Sequence, residues 1–137
     1  MTHRRFAQRS LSLLLLMAML WVLAACASTA LGKAIQTADA QKRVVEGAAV
    51  EFAKLHLKND PRITDAVYAQ GKAAYQKWYA SQLALASALA SWKTVSSAGN
   101  EATLTTALSE VTKNINVYLG FVGTFVDLAA LKAKLST

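Results

Sequence analysis

The 137-residue chain has one cysteine, one proline and two histidines, and each scarcity removes a class of protein. One thiol makes no intramolecular disulfide, so packing must hold the fold. Two histidines and one cysteine supply no cluster with metal-ligand spacing. Six glycines include neither a phosphate-cradling loop nor a Gly-x-Ser-x-Gly turn. Catalysis needs a nucleophile, a base and an orienting group in one pocket, and no such set is present. His56, in "KLHLKND", reads as a solvated or half-buried residue favoured by a helix C-terminal dipole. The carboxylates fare no better. Asp39 with Arg43, Lys42 with Glu46, and Glu110 with Asn114 stand one helical turn apart, the spacing of solvated surface pairs. No basic run is interleaved with aromatic residues, so a nucleic-acid partner is not expected. No segment alternates apolar and polar residues with β-branched content, which excludes a sheet. The chain therefore reads as all-α, with neither enzyme activity nor a cofactor expected.

What is present begins at the N-terminus. "THRRFAQR" is basic, the following residues are apolar through "LSLLLLMAMLWVLAACAS" (Leu11 to Ser28), and the run closes on small side chains. That is the three-part layout of a secretory signal peptide. A membrane span needs about 20 apolar residues, and this run stops after about 15. Leu23-Ala24-Ala25-Cys26 resembles the lipobox of bacterial lipoproteins. The resemblance implies removal of residues 1–25 and a diacylglycerol thioether on Cys26, whose amine then takes a further acyl chain such as palmitate. Several chains anchor a domain stably where one does not. The alternatives are an ordinary secretory signal with an incidental cysteine, or an uncleaved anchor helix.

Ala27 rather than aspartate follows Cys26. By resemblance this favours the outer membrane, periplasmic side, with the plasma membrane as the location in a Gram-positive source. Arg4, Arg5 and Arg9 leave with the signal segment. Fifteen basic residues become twelve against eight acidic ones, and the formal charge falls from +7 to +4.

Residues 26–137 suffice for one modest core, and three segments carry helical periodicity. In the first, about 31–58, Leu31, Ala34, Ile35, Ala38, Val45, Ala48, Ala49, Phe52 and Leu55 form a stripe. Asn59-Asp60-Pro61 ends it, with Asp60 expected to cap the next helix and Pro61 to open it. The second, about 61–97, spaces Gly71, Trp78, Leu85 and Trp92 by sevens. "SSAGN" (residues 96–100) reads as a stop, Gly99 suiting a left-handed position and Asn100 a cap. The third, about 101–134, repeats Leu104, Val111, Tyr118 and Phe125 by sevens. Three stripes with two short connections predict an elongated up-down-up three-helix bundle, with helices of roughly 40 to 55 Å. An N-terminal lipid would put the 96–100 turn at the membrane end and the 59–61 turn at the far end.

Gln41, Gln82 and Asn114 interrupt the stripes at similar distances from the two turns. They are candidates for one buried amide layer that fixes register; the competing reading turns them to solvent. Around the third stripe, Val117, Leu119, Gly120, Gly123 and Val126 leave little polar surface. An exposed apolar patch there would bind a partner, either an envelope protein or a second copy. The chain is thus expected to act by binding or scaffolding in the cell envelope. Small helical lipoproteins of this length also occur in phage and prophage genomes, where some block receptors or assist lysis, a resemblance of length, lipobox and helicity only. A carrier of a hydrophobic ligand would need a cavity lined by Tyr75, Trp78 and Phe125.

Overall fold

The computed structural model describes the backbone of residues 3–137 and the side chains from Ala30 onward; Cys26 and residues 1–25, the expected signal segment, lie outside the described side chains. The chain divides into two compact units, residues 1–34 and 35–137. Its elements belong to four helices: α1 (His3–Leu57), α2 (Asp65–Thr94), α3 (Ala98–Val122) and α4 (Leu128–Leu135). No strand occurs among the described residues.

The heptad residues form the core. From α1 come Ala38, Val45, Ala48 and Phe52, and from α2 Trp78, Leu85 and Ala88. From α3 come Leu104, Leu108, Val111, Ile115, Tyr118 and Val122, all at most 7% exposed. α2 packs on α3 in opposite directions. Tyr75 faces Tyr118 with ring centroids 5.7 Å apart, while further along α2 Ser81 and Ala88 share a groove with Thr103 and Glu110. α1 meets this pair through Phe52, whose ring lies 5.7 Å from Tyr68, 6.1 Å from Phe121 and 5.6 Å from Phe125.

Gly71 is buried where α1 and α2 cross. A Cβ there would fall 2.5 Å from Phe52 Cε1 and 3.2 Å from Phe121 Cε1, so only hydrogen lets the rings close over the helix. Close backbone approach, rather than conformational freedom, accounts for this glycine.

The turns differ from those read in the sequence. Asp60 does not cap α2. Its carboxylate accepts from the backbone N–H of Arg62 at 3.0 Å and holds the guanidinium through Nε at 3.0 Å and Nη2 at 2.7 Å. Asn59 takes a left-handed φ of 55°, a conformation asparagine tolerates. Ile63, 4% exposed, plugs the end of the core. The cap falls to Thr64, whose hydroxyl accepts from Val67 N–H at 3.3 Å.

At the other turn Ser97 is the cap, accepting from Asn100 N–H at 3.2 Å, and Gly99 is inside α3 with no left-handed φ. Asn100 works backward: its Nδ2 donates to Val95 O at 2.8 Å and Ser91 O at 3.3 Å. It thereby adds a second donor to each carbonyl, since Ser91 O already accepts from Val95 N–H and Val95 O from Ser97 N–H, both at 2.9 Å.

The third segment is not one helix to residue 134. α3 stops at Val122. Gly123 closes it, its N–H on Leu119 O at 2.8 Å, and a Cβ at that residue would lie 2.7 Å from the same oxygen and 3.0 Å from Leu128 Cδ1. Phe125 and Val126 N–H both bond to Val122 O at 2.9 Å. Asp127 then starts α4 by accepting from Ala130 N–H at 3.0 Å. Leu131 lies against Gly47 of α1. Lys132 and Leu135 share a groove with Gln36, Ala40 and Val44.

Candidate functional site

The apolar face expected over 117–126 survives only in part. Val117 is 56% exposed, Gly120 is exposed and Leu119 half-buried. Nothing lies within 4 Å of where a Gly120 Cβ would stand. Val126 belongs to the core at 8% exposed, and Gly123 serves the turn. The expectation for these last two assumed a straight helix; the reversal after Val122 swings Val126 inward. The remaining open patch is Val117, Gly120 and the edge of Leu119.

Gln41, Gln82 and Asn114 are all half-buried, but among the described residues no hydrogen bond joins them. Gln82 Nε2 is buried without a partner, as is Trp78 Nε1 one turn earlier. The expected common layer does not form, because the turn between α2 and α3 centres on residues 95–97, earlier than the sequence suggested. This register puts Asn114 about one helical turn from the level of Gln82.

Aromatic residues gather around Phe52 on the α1–α2 side. His56 stacks on Tyr68 at 4.1 Å and 4°, while its Nε2 lies 3.0 Å from Asp65 Oδ1. Tyr75 packs on Trp78 at 5.2 Å. A cleft of about 190 Å³ opens between Ala49, Phe52, Tyr68, Gly71, Lys72, Tyr75 and Tyr118. Burial pushes the phenols of both Tyr118 and Tyr75 up, and at Tyr75 the Glu46 carboxylate adds to the effect. The residues expected to line a carrier cavity are not grouped there. Trp78 is 1% exposed in the core, Phe125 packs against Phe52 and Phe121, and Tyr75 alone of the three faces the cleft.

The ionic contacts are surface contacts. Lys42–Glu46 at 4.0 Å, Lys54–Glu51 at 2.9 Å and Lys113–Glu110 at 3.9 Å each span one turn, an arrangement contributing little. Arg62 beside Asp60 holds that carboxyl down at about 2. No group of three His, Cys, Asp or Glu side chains among the described residues is placed to hold a metal ion. Among the described residues no helix is long and apolar enough to cross a membrane.

The aromatic cluster around Phe52 escaped detection in the sequence because it depends on register between helices. Comparison with protein-family models, with curated proteins and with solved structures finds no match for this chain.

Proposed function

We propose that the protein is a lipid-anchored component of the bacterial cell envelope that acts by binding another protein. The observation that carries this reading is the placement of Cys26 behind Leu23-Ala24-Ala25, at the end of a single apolar run with a basic flank. Signal peptidase cleavage before Cys26 would leave the thioether lipid on the first mature residue, with Ala27 directing the chain to the periplasmic side of the outer membrane. In this reading α1 after residue 30, α2 and α3 run up, down and up, and α4 is an added strap on α1. The α2–α3 turn then faces the membrane and the Asn59–Ile63 turn faces away. A half-exposed Trp92 near the membrane-side turn suits a headgroup contact.

The binding surface is Val117 with Gly120 and Leu119. It offers an apolar side chain beside a residue with no Cβ, so another helix can approach closely, and exposed apolar surface is where partners dock. Either an envelope protein or a second copy would fit.

Metabolic labelling with an alkyne-tagged palmitate tests the anchor. The full chain should incorporate label, and Cys26→Ala should abolish it and stall processing. A mature chain that begins elsewhere, or a Cys26 without lipid, overturns the proposal. Photo-crosslinking from positions 117 and 120 in intact cells tests the surface, with position 113 as a control.

A further inference from the structure

We infer that α4 is an exchangeable strap: two copies of the chain trade it, each α4 leaving its own α1 and seating on the α1 of the other copy. The inference is independent of lipid anchoring and of the Val117 surface, since it uses only residues 36–137.

The strap is held loosely. No residue of α4 is buried. Leu128 and Leu131 are half-buried, Leu135 is 44% exposed, and hollows of about 380 and 220 Å³ flank the helix where it crosses α1. The side-chain hydrogen bonds that follow α4 stay local: Ser136 Oγ donates to Ala133 O and Thr137 Oγ1 to Lys134 O, both at 2.9 Å. A segment that buries so little opens from the native state far more readily than the core does.

The seat, by contrast, is specific. Leu131 Cδ1 lies 3.1 Å from where a Gly47 Cβ would stand, and Lys132 and Leu135 lie along Gln36, Ala40 and Val44. This groove accepts α4, and a second copy presents an identical α4. Each strap regains the same contacts on either body, so exchange is charged only at the hinge and in bringing two copies together.

The hinge favours exchange. The turn after α3 is already partly helical: Gly123 has φ −61° and ψ −14°. The N–H groups of Gly123 and Val126 bond four residues back, to Leu119 O at 2.8 Å and Val122 O at 2.9 Å. The chain leaves the helix at Asp127, whose ψ is 93°. No proline interrupts residues 123–135, and the seven-residue repeat through Leu104, Val111 and Tyr118 reaches Phe125. Straightening at Asp127 joins α3 and α4 into one helix. That helix projects past the Asn59–Ile63 turn, at the end where Phe121 and Phe125 meet Phe52. A second copy set head to head on a two-fold axis receives it on α1 from Leu55 toward Ala40, the direction α4 follows in the single chain.

Two forms of the full chain test this, both with Cys26→Ser so that only introduced thiols react. One carries Gly47→Cys and the other Leu131→Cys. They are mixed at high concentration in mild detergent, warmed, cooled and oxidised, and the joined peptides are identified by mass spectrometry. A 47–131 disulfide between the two forms is expected, because exchange alone puts position 131 of one copy over position 47 of the other. Gly123→Ala should raise its yield: in the turn the methyl falls 2.7 Å from Leu119 O and 3.0 Å from Leu128 Cδ1, whereas a straight helix favours alanine over glycine by about five-fold per hinge. Leu128→Pro should abolish it. Proline suits the first position of α4 after an extended Asp127 and breaks a continuous helix, so a single chain with both cysteines should still close on itself. If either turn variant fails to fold, the other decides. Absence of the disulfide between copies, with the native turn and with Gly123→Ala alike, overturns the inference, as does a yield that Leu128→Pro leaves unchanged.

Discussion

Gly71→Ala and Gly120→Ala make the same chemical change in helices and should have opposite effects. Replacing glycine by alanine inside a helix is worth about 0.8–1.0 kcal/mol in propensity. At Gly120 nothing lies within 4 Å of the new methyl, so the variant should keep most of that gain. At Gly71 the methyl would sit 2.5 Å from Phe52 Cε1, 3.0 Å from its Cζ and 3.2 Å from Phe121 Cε1. Phe52 is 2% exposed and is met by Tyr68, Phe121 and Phe125, so its ring has nowhere to swing. Overpacking of this kind costs typically about 1–3 kcal/mol. Set against the propensity gain, Gly71→Ala should fall between roughly neutral and 2 kcal/mol destabilised, leaving the two variants about 1–3 kcal/mol apart. Urea unfolding of the full chain, followed by far-ultraviolet circular dichroism, measures the gap as a shift in midpoint at constant slope. Phe52→Leu added to Gly71→Ala should recover part of the loss, a coupling the two single changes would not give by addition. If Gly71→Ala proves as stable as Gly120→Ala, the packing of α1 on α2 through Phe52 is wrong.

Asn100→Ala should destabilise by about 1 kcal/mol or slightly more, since the Val95 and Ser91 carbonyls lose a donor, read from the same unfolding curves; Asn100→Asp should not rescue, because a carboxylate cannot donate. Val117→Asp should change stability by less than about 0.5 kcal/mol, as exposed substitutions do, while Val126→Asp should cost several-fold more by putting a charge into the core; comparable losses at the two positions would refute the turn at 123–127. The Asp60 carboxyl is held at about 2 by Arg62, below its usual value near 3.8. A depressed pKa means this contribution is complete above about pH 4 and lost as the pH falls through about 2. NMR titration of the Asp60 carboxyl should show that low midpoint, and Arg62→Gln should return it toward 3.8. His56→Ala should alter the Tyr68 ring environment and leave any binding at Val117 unchanged.

How much was legible in the sequence follows from the range over which each signal acts. Ala38, Val45, Phe52, Trp78, Leu85, Leu104, Val111 and Tyr118 lie in the core because a seven-residue repeat is a property of one helix, and it specifies an inner face before any partner is known. The caps were less legible. Asp60 and Asn100 are cap types as good as Thr64 and Ser97; the choice is made by Arg62, which captures the Asp60 carboxylate, and by the Ser91 and Val95 carbonyls, which take the Asn100 amide. The break in the third segment did leave a mark. Gly123-Thr124 followed by Asp127 places a poor helix former, a hydroxyl that donates instead to Phe121 O at 2.8 Å, and a capping carboxylate within five residues. Phe125 concealed it by continuing the heptad count, although its ring reaches Phe52 from the turn rather than from a helix. The register error had a larger consequence. Starting α3 at Ala98 rather than near residue 101 slides every α3 side chain along α2, which separates Asn114 from Gln82 and brings Tyr118 opposite Tyr75. Three residues of turn thus decide whether the centre of this bundle holds an amide layer or an aromatic cleft, and no periodicity within a single helix carries that information.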